Sequence, residues 1–182
     1  EALFFHNEIE VRKTDHNHLV VYNPSKDIIE SVSSPNKILF NGFPGPKGTI
    51  YFICQDQQTN LYSLEQFDGR VFTTIVDEET IPKLNNVTRI FHTRDGDIWL
   101  LNFYLGPFGI YREGNYQPID PPEESHPNQP GSAFLELSDG TIWAGFGYSV
   151  FEYDKGTWRQ ILDCSQDVGV FQMLESQDGS IW

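Results

Sequence analysis

The side chains able to do chemistry fall in three places along the 182 residues. His16 and His18 stand in Asp15-His16-Asn17-His18. Alternate residues of a strand share one face, so both imidazoles would project together as the start of a zinc or copper site. No third ligand stands nearby, the tetrapeptide equally suits a polar turn, and no metal is assigned. Glu123, Glu124 and His126 lie in Asp120-Pro-Pro-Glu-Glu-Ser-His-Pro-Asn-Gln-Pro-Gly131. His126 has the chemistry of a general acid or base, yet adjacent carboxylates need not converge on one substrate, and nothing fixes a partner for the histidine. No Ser-His-Asp order is supported by a nucleophile elbow. The third group is aromatic and amide-rich: Asp56 and Gln57, then Tyr104, Phe108, Phe146 and Tyr148. Rings of this kind can cover the apolar face of a neutral sugar, with Asp56, Gln57, Glu123 and Glu124 as hydrogen-bond partners. The same rings can instead pack under their own loops. No enzyme and no cofactor are expected from these sets.

The elements that must position them are written in a repeat. Asp95-Gly96-Asp97-Ile98-Trp99 returns as Asp139-Gly140-Thr141-Ile142-Trp143 and as Asp178-Gly179-Ser180-Ile181-Trp182. Lys47-Gly48-Thr49-Ile50-Tyr51 is a weaker fourth copy, so the isoleucines stand at 50, 98, 142 and 181. A period of about 40 to 50 residues with a turn-plus-aromatic phrase is the mark of a β-propeller blade. Glycine supplies the positive φ of a hairpin turn, and the β-branched and aromatic pair favours the pleat. A run ending in or near tyrosine follows each phrase, as in Gly109-Ile110-Tyr111-Arg112 and Val150-Phe151-Glu152-Tyr153, and then a further short strand. The fold expected is all-β: four-stranded antiparallel blades at about 1–33 (partial), 34–78, 79–121, 122–163 and 164–182 (partial). No stretch sustains a helical period. In this grid Asp95, Gly96, Ile98, Trp99, Asp139, Gly140, Ile142, Trp143, Asp178, Gly179, Ile181 and Trp182 are structural. The aspartates would accept turn N–H groups, and Ile and Trp would pack between sheets.

Composition narrows the partners. With 26 acidic against 12 basic residues the net charge is −14, a field that repels nucleic acid and anionic membrane. No apolar run approaches the roughly 18 residues of a membrane helix. Cys54 and Cys164 lack metal-type spacing and fall two blades apart, so separate packed thiols are expected. Asn86-Val87-Thr88 is a sequon that matters only if the source glycosylates secreted proteins. The chain opens at Glu1, carries Met173 as its single methionine, and stops within a repeat at Trp182, which reads as a window on a longer protein.

The stretch Ser138 to Asp154 resembles the two-component regulator propeller repeat, in which an Asp, Gly, hydrophobic, Trp, Gly phrase precedes a Gly-hydrophobic-x-x-Tyr strand. The match is good there, fair around Asp95, and weak around Gly48, where Tyr51 stands in place of Trp. The resemblance implies tandem blades closing into a large propeller, often beside a second propeller, in the extracytoplasmic sensor region of bacterial hybrid two-component systems. Glycan fragments are a frequent stimulus of such sensors. The reading that follows is a non-catalytic ligand-sensing segment whose partners are neighbouring blades or a second propeller, with a possible glycan or small-molecule ligand. A secreted carbohydrate-active or lyase-type propeller, and a protein-binding scaffold, remain the alternatives. In either case the recognition loops are expected on one face: Gln55 to Asn60, Val76 to Asn86, Asn102 to Phe108, Asp120 to Gly131 and Phe146 to Tyr148.

Overall fold

The computed structural model describes residues 2–6, 9–14, 18–23, 28–34, 36–102, 108–122, 131–163 and 169–182. They form four antiparallel four-stranded sheets, each drawn from a consecutive stretch of chain. The first holds β1 (Ala2–His6), β2 (Ile9–Lys13), β3 (His18–Asn23) and β4 (Ile28–Ser33). The second holds β5 (Lys37–Pro44), β6 (Ile50–Asp56), β7 (Tyr62–Phe67) and β8 (Phe72–Asp77). The third holds β9 (Arg89–His92), β10 (Ile98–Leu101), β11 (Gly109–Arg112) and β12 (Asn115–Pro118). The fourth holds β13 (Gly131–Glu136), β14 (Ile142–Phe146), β15 (Ser149–Asp154) and β16 (Thr157–Asp163). Residues 169–182 start a further unit through an isolated bridge between Glu175 and Ile181. Among the described residues the helical elements are two short 3-10 turns, Pro46–Gly48 and Leu84–Asn86.

One strand departs from the sequence grid. Counting back from Leu19 to Asn23 as a third strand makes Ala2 to Phe5 the second strand of the first blade, whereas Ala2–His6 is the first strand and Ile9–Lys13 follows it as β2. The alternation Ile9, Glu10, Val11, Arg12 is that of a strand buried on one face, but no Asp-Gly turn announces it in the sequence.

The repeated phrase closes the hairpin between the first two strands of a sheet. Thr93 N–H donates to Asp97 O at 3.0 Å, Leu137 N–H to Thr141 O at 2.8 Å, and Ser176 N–H to Ser180 O at 2.9 Å. Gly96 and Gly140 sit at φ of 95° and 91°, a region that L side chains rarely adopt, which is why glycine stands there. Asp139 and Asp178 accept the N–H of Thr141 and Ser180 at 2.9 and 3.0 Å. In the copy at Asp95 the Thr93 hydroxyl oxygen takes that acceptor role toward Asp97 N–H, at 3.0 Å.

Alternation along the second strands then builds the stack. Ile50, Phe52 and Cys54 face the first sheet and pack with Val11, Leu19 and Val21. Tyr51 and Ile53 face the third, where Ile98 and Leu100 meet them. Trp99 and Leu101 face the fourth and pack with Ile142, Ala144, Phe146 and Phe151. Each boundary is therefore one apolar layer shared by two sheets. Cys54 is fully buried in the first of these layers, and Cys164 lies outside the described residues.

Candidate functional site

The strand order places two kinds of connection at opposite edges of every sheet. Inner hairpin turns such as Gly45–Thr49 close one edge; loops between the second and third strands, such as 56–61, close the other. The connectors that lead from one sheet to the next return to this second edge. Gln57 N–H donates to Asn36 O at 2.8 Å, Glu78 N–H to Tyr62 O at 2.8 Å, Thr88 N–H to Leu101 O at 3.0 Å, and Val170 N–H to Gly147 O at 2.8 Å. The described connectors and loops thus share one side of the stack, carried on strands whose apolar faces are locked by packing. Loops of this kind vary in sequence without cost to the core, so recognition can be written there.

Asp56 organises the first of these loops. Its carboxylate accepts the N–H groups of Thr59 and Gln58, each at 2.9 Å, and the Thr59 hydroxyl at 3.1 Å. The Thr59 and Gln58 amides hold its pKa below the usual carboxylate range. This carboxylate is thus engaged in shaping the loop, while the neighbouring Gln57 is exposed. Tyr148 stands half-buried in the two-residue loop between β14 and β15. His18 opens β3 at the same edge and is half-buried; His16 lies outside the described residues. Tyr104, Glu123, Glu124 and His126 also lie outside them.

Phe108 and Phe146, read in the sequence as rings able to face a sugar, are in the core at 8 % and 3 % exposure. Their rings stand 5.9 Å apart, and Phe146 meets Trp158 edge-on at 5.2 Å. Parity explains the position: Phe146 shares the inner face of β14 with Ile142 and Ala144. Covered rings present no face to a ligand.

The structure adds an aromatic pair that sequence reasoning passed over. Leu39 pairs with Cys54 and Gly42 with Phe52, so Phe40 and Asn41 oppose Ile53 alone in a β-bulge. Bulges re-aim side chains next to functional surfaces. Here Phe40 is left 39 % exposed, with its ring 5.7 Å from Tyr62 at a tilt of 38°. Leu61, beside Tyr62, is 41 % exposed. The Tyr62 N–H donates to the Glu78 carboxylate at 3.1 Å, tying this pair to the connector into the third sheet. Such an edge can stack an apolar ring face and offer hydrogen-bond acceptors around it. Among the described residues no three His, Cys, Asp or Glu side chains are grouped to hold a metal ion.

No family model and no curated protein matches the chain. Solved structures do. Two structures of the extracellular domain of BT4673 from B. thetaiotaomicron, described in one as a one component system and in the other as a hybrid two component system, superpose with TM-scores of 0.69 and 0.68 at 18% identity. They cover 99% of this chain, which spans about a quarter, 24%, of theirs. The extracellular domain of BT3049, described as a hybrid two component system of the same organism, matches over 95% of the chain at 18% identity with a TM-score of 0.57, and 26% of that protein is covered. A calcium-binding protein, regucalcin, from Agrobacterium tumefaciens matches over 87% of the chain and 57% of its own length, at 12% identity and a TM-score of 0.55. At these identities the likeness speaks for the fold. The chain is all-β, a run of stacked four-stranded antiparallel sheets with the architecture of β-propeller blades.

Proposed function

We propose that this chain is a ligand-sensing segment of an extracytoplasmic β-propeller receptor, acting by binding and not by turnover. The observation that carries the reading is the gathering of all described connectors and second-to-third-strand loops onto one edge of a stack shared with extracellular domains of signalling proteins. A neutral, hydroxyl-rich ligand such as a glycan fragment fits this edge. Phe40 and Tyr62 supply tilted apolar faces, Gln57 stands in the adjoining loop of the second sheet and Tyr148 in the corresponding loop of the fourth, and the net charge of −14 disfavours polyanions. Binding acts by favouring one packing of this stack on further blades or on a second propeller, since a ligand shifts an equilibrium only through differential affinity for its states. Among the described residues no helix is long and apolar enough to cross a membrane.

Isothermal titration against a panel of neutral oligosaccharides tests the reading. Saturable binding that weakens in Phe40→Ala and Tyr148→Ala, with the sugar recovered unchanged, is the expected result. Conversion of a panel sugar by the chain would sink it. The likeness to a calcium-binding protein motivates one second reading, a calcium-dependent propeller with an activity of its own. A calcium-dependent rise in melting temperature together with turnover would support that reading instead.

A further inference from the structure

Across each inner hairpin one residue pairs with the isoleucine of the repeated phrase. It is Pro44 opposite Ile50, His92 opposite Ile98, Glu136 opposite Ile142 and Glu175 opposite Ile181. Two residues further on stand Pro46, Arg94, Ser138 and Gln177. At two successive boundaries these positions meet in the same way. Arg94 N–H donates to Glu136 Oε2 at 2.8 Å, and Ser138 N–H donates to Glu175 Oε2 at 2.6 Å. Side chains add to both: Arg94 Nε lies 3.3 Å from Glu136 Oε1, and the Ser138 hydroxyl donates to Glu175 Oε1 at 2.8 Å. The Arg94 guanidinium also donates to the carbonyls of Leu137 and Ser138. The Glu136 side chain is only 11% exposed, so water competes weakly for its carboxylate.

Between the second and third sheets both halves of this device are replaced. Pro46 has no N–H to give, and His92 has no carboxylate to receive it. The His92 ring lies instead over Tyr51, with centroids 6.5 Å apart. A hydrogen bond across that boundary stands at the outer edge, where the Tyr111 hydroxyl donates to Ile75 O at 2.9 Å. Ile75 is the extra residue of a bulge, between Val76 opposite Leu64 and Thr74 opposite Glu65.

We propose that the amide-to-carboxylate latch binds the third sheet, the fourth sheet and the unit begun at 169–182 into one block, and that the boundary between the second and third sheets is a compliant joint, pivoting at Tyr111 and Ile75. This inference goes beyond the ligand reading and does not need it, because it rests on inter-sheet geometry alone.

Native-state hydrogen exchange on the full chain, followed residue by residue in low denaturant, is the test. The amides of β9 to β16 should share one opening transition, and those of β5 to β8 should open separately at lower denaturant. Glu136→Ala should speed exchange of the Arg94 amide about tenfold, and Glu175→Ala that of the Ser138 amide, the size expected for losing a charge-assisted hydrogen bond. Glu136→Gln should restore part of the protection, because its amide oxygen still accepts. The double substitution Pro46→Ala with His92→Glu should install a latch and merge the two transitions. A single opening shared by β5 to β16 in the unmodified chain overturns the joint; unchanged Arg94 and Ser138 exchange in the alanine variants overturns the latch. If the double variant does not fold, the unmodified chain and the alanine variants still decide both points.

Discussion

The ring of Trp99 meets Tyr153 edge-on across the boundary between the third and fourth sheets, with centroids 5.0 Å apart and planes at 86°. Phe134 and Trp158 stand 5.5 and 6.3 Å from the same indole, which is 1% exposed. Trp182 occupies the same place in the last copy of the phrase and is 80% exposed. What the phrase contributes is therefore set by what packs over its ring, which for Trp99 is the fourth sheet. Trp99→Ala should cost about 3–5 kcal/mol, the range for truncating a buried aromatic. In a chain that ends at residue 182, Trp182→Ala should stay within about 0.5 kcal/mol, as for an exposed site. Urea unfolding of both variants checks the contrast.

A buried carboxylate sits at the edge of the layer between the first two sheets. Glu65 is 1% exposed and accepts from Ser63 Oγ at 2.7 Å, from Thr74 Oγ1 at 2.8 Å, and from the Lys37 ammonium. Removing one member of such a pair strands the other charge in a dry site. Lys37→Met should therefore destabilise by about 3 kcal/mol, and adding Glu65→Leu should recover most of the loss. A double-mutant cycle in urea measures the coupling; simple additivity of the two changes would contradict it.

Gly109 shows where the strand pairing needs a missing side chain. A Cβ there would stand 2.3 Å from Gln117 O and 2.9 Å from Pro118 Cα, both backbone atoms of the adjacent β12. Gly109→Ala must push that edge strand away and should cost about 1–3 kcal/mol. Gly145→Ala would meet Val170 Cγ1 at 2.7 Å and Val170 Cβ at 2.8 Å, and because no rotamer change moves a Cβ the backbone at Val170 must shift, at a cost of the same order. Thermal melts of the two variants rank them.

Titration should report burial and turn chemistry at opposite ends of the pH scale. Burial pushes the Tyr116 pKa up to about 12. The folded state thus holds this proton more tightly than the unfolded chain does. Its contribution is complete below pH about 10, the unfolded tyrosine value, and is lost as pH rises through the folded value. Asp178 is pulled the other way, to about 2, by the Ser176 hydroxyl and then the Ser180 amide. The Asp178 contribution is present above the ordinary aspartate pKa and is lost as pH falls toward the folded value. Ultraviolet titration of tyrosinate should show a late phase, to which burial of Tyr51 and Tyr153 also contributes, and Tyr116→Phe should reduce it by one tyrosine. Carboxyl-detected NMR should find the Asp178 midpoint well below that of an unstructured aspartate.

What was legible in the sequence is what local chemistry decides. The Asp-Gly-x-Ile-Trp phrase announces its hairpin because a positive-φ glycine, an acceptor side chain and a β-branched aromatic pair lie within five residues. The expected third strand at Gly109 to Arg112 is β11 to the residue. The features missed depend on partners far along the chain. Phe146 reads as a loop aromatic until strand parity turns it inward, and Phe108, just ahead of β11, until it packs on Phe146 and Trp158. Phe40 reads as one more apolar residue of a strand until a bulge, set by pairing with β6, leaves its ring exposed. Glu136 and Glu175 look like ordinary surface acids, since their partners Arg94 and Ser138 lie 42 and 37 positions away.

The central claim is that recognition belongs to the edge of loops and connectors and not to the repeated turns. Hydrogen-exchange footprinting of the chain with a neutral oligosaccharide that binds in titration tests it most directly. Slowed exchange should appear in residues 55–62, 78–88 and 146–149, with the turns at 45–49, 93–97, 137–141 and 176–180 unaffected. Protection confined to those turns, or consumption of the sugar during the experiment, would contradict it.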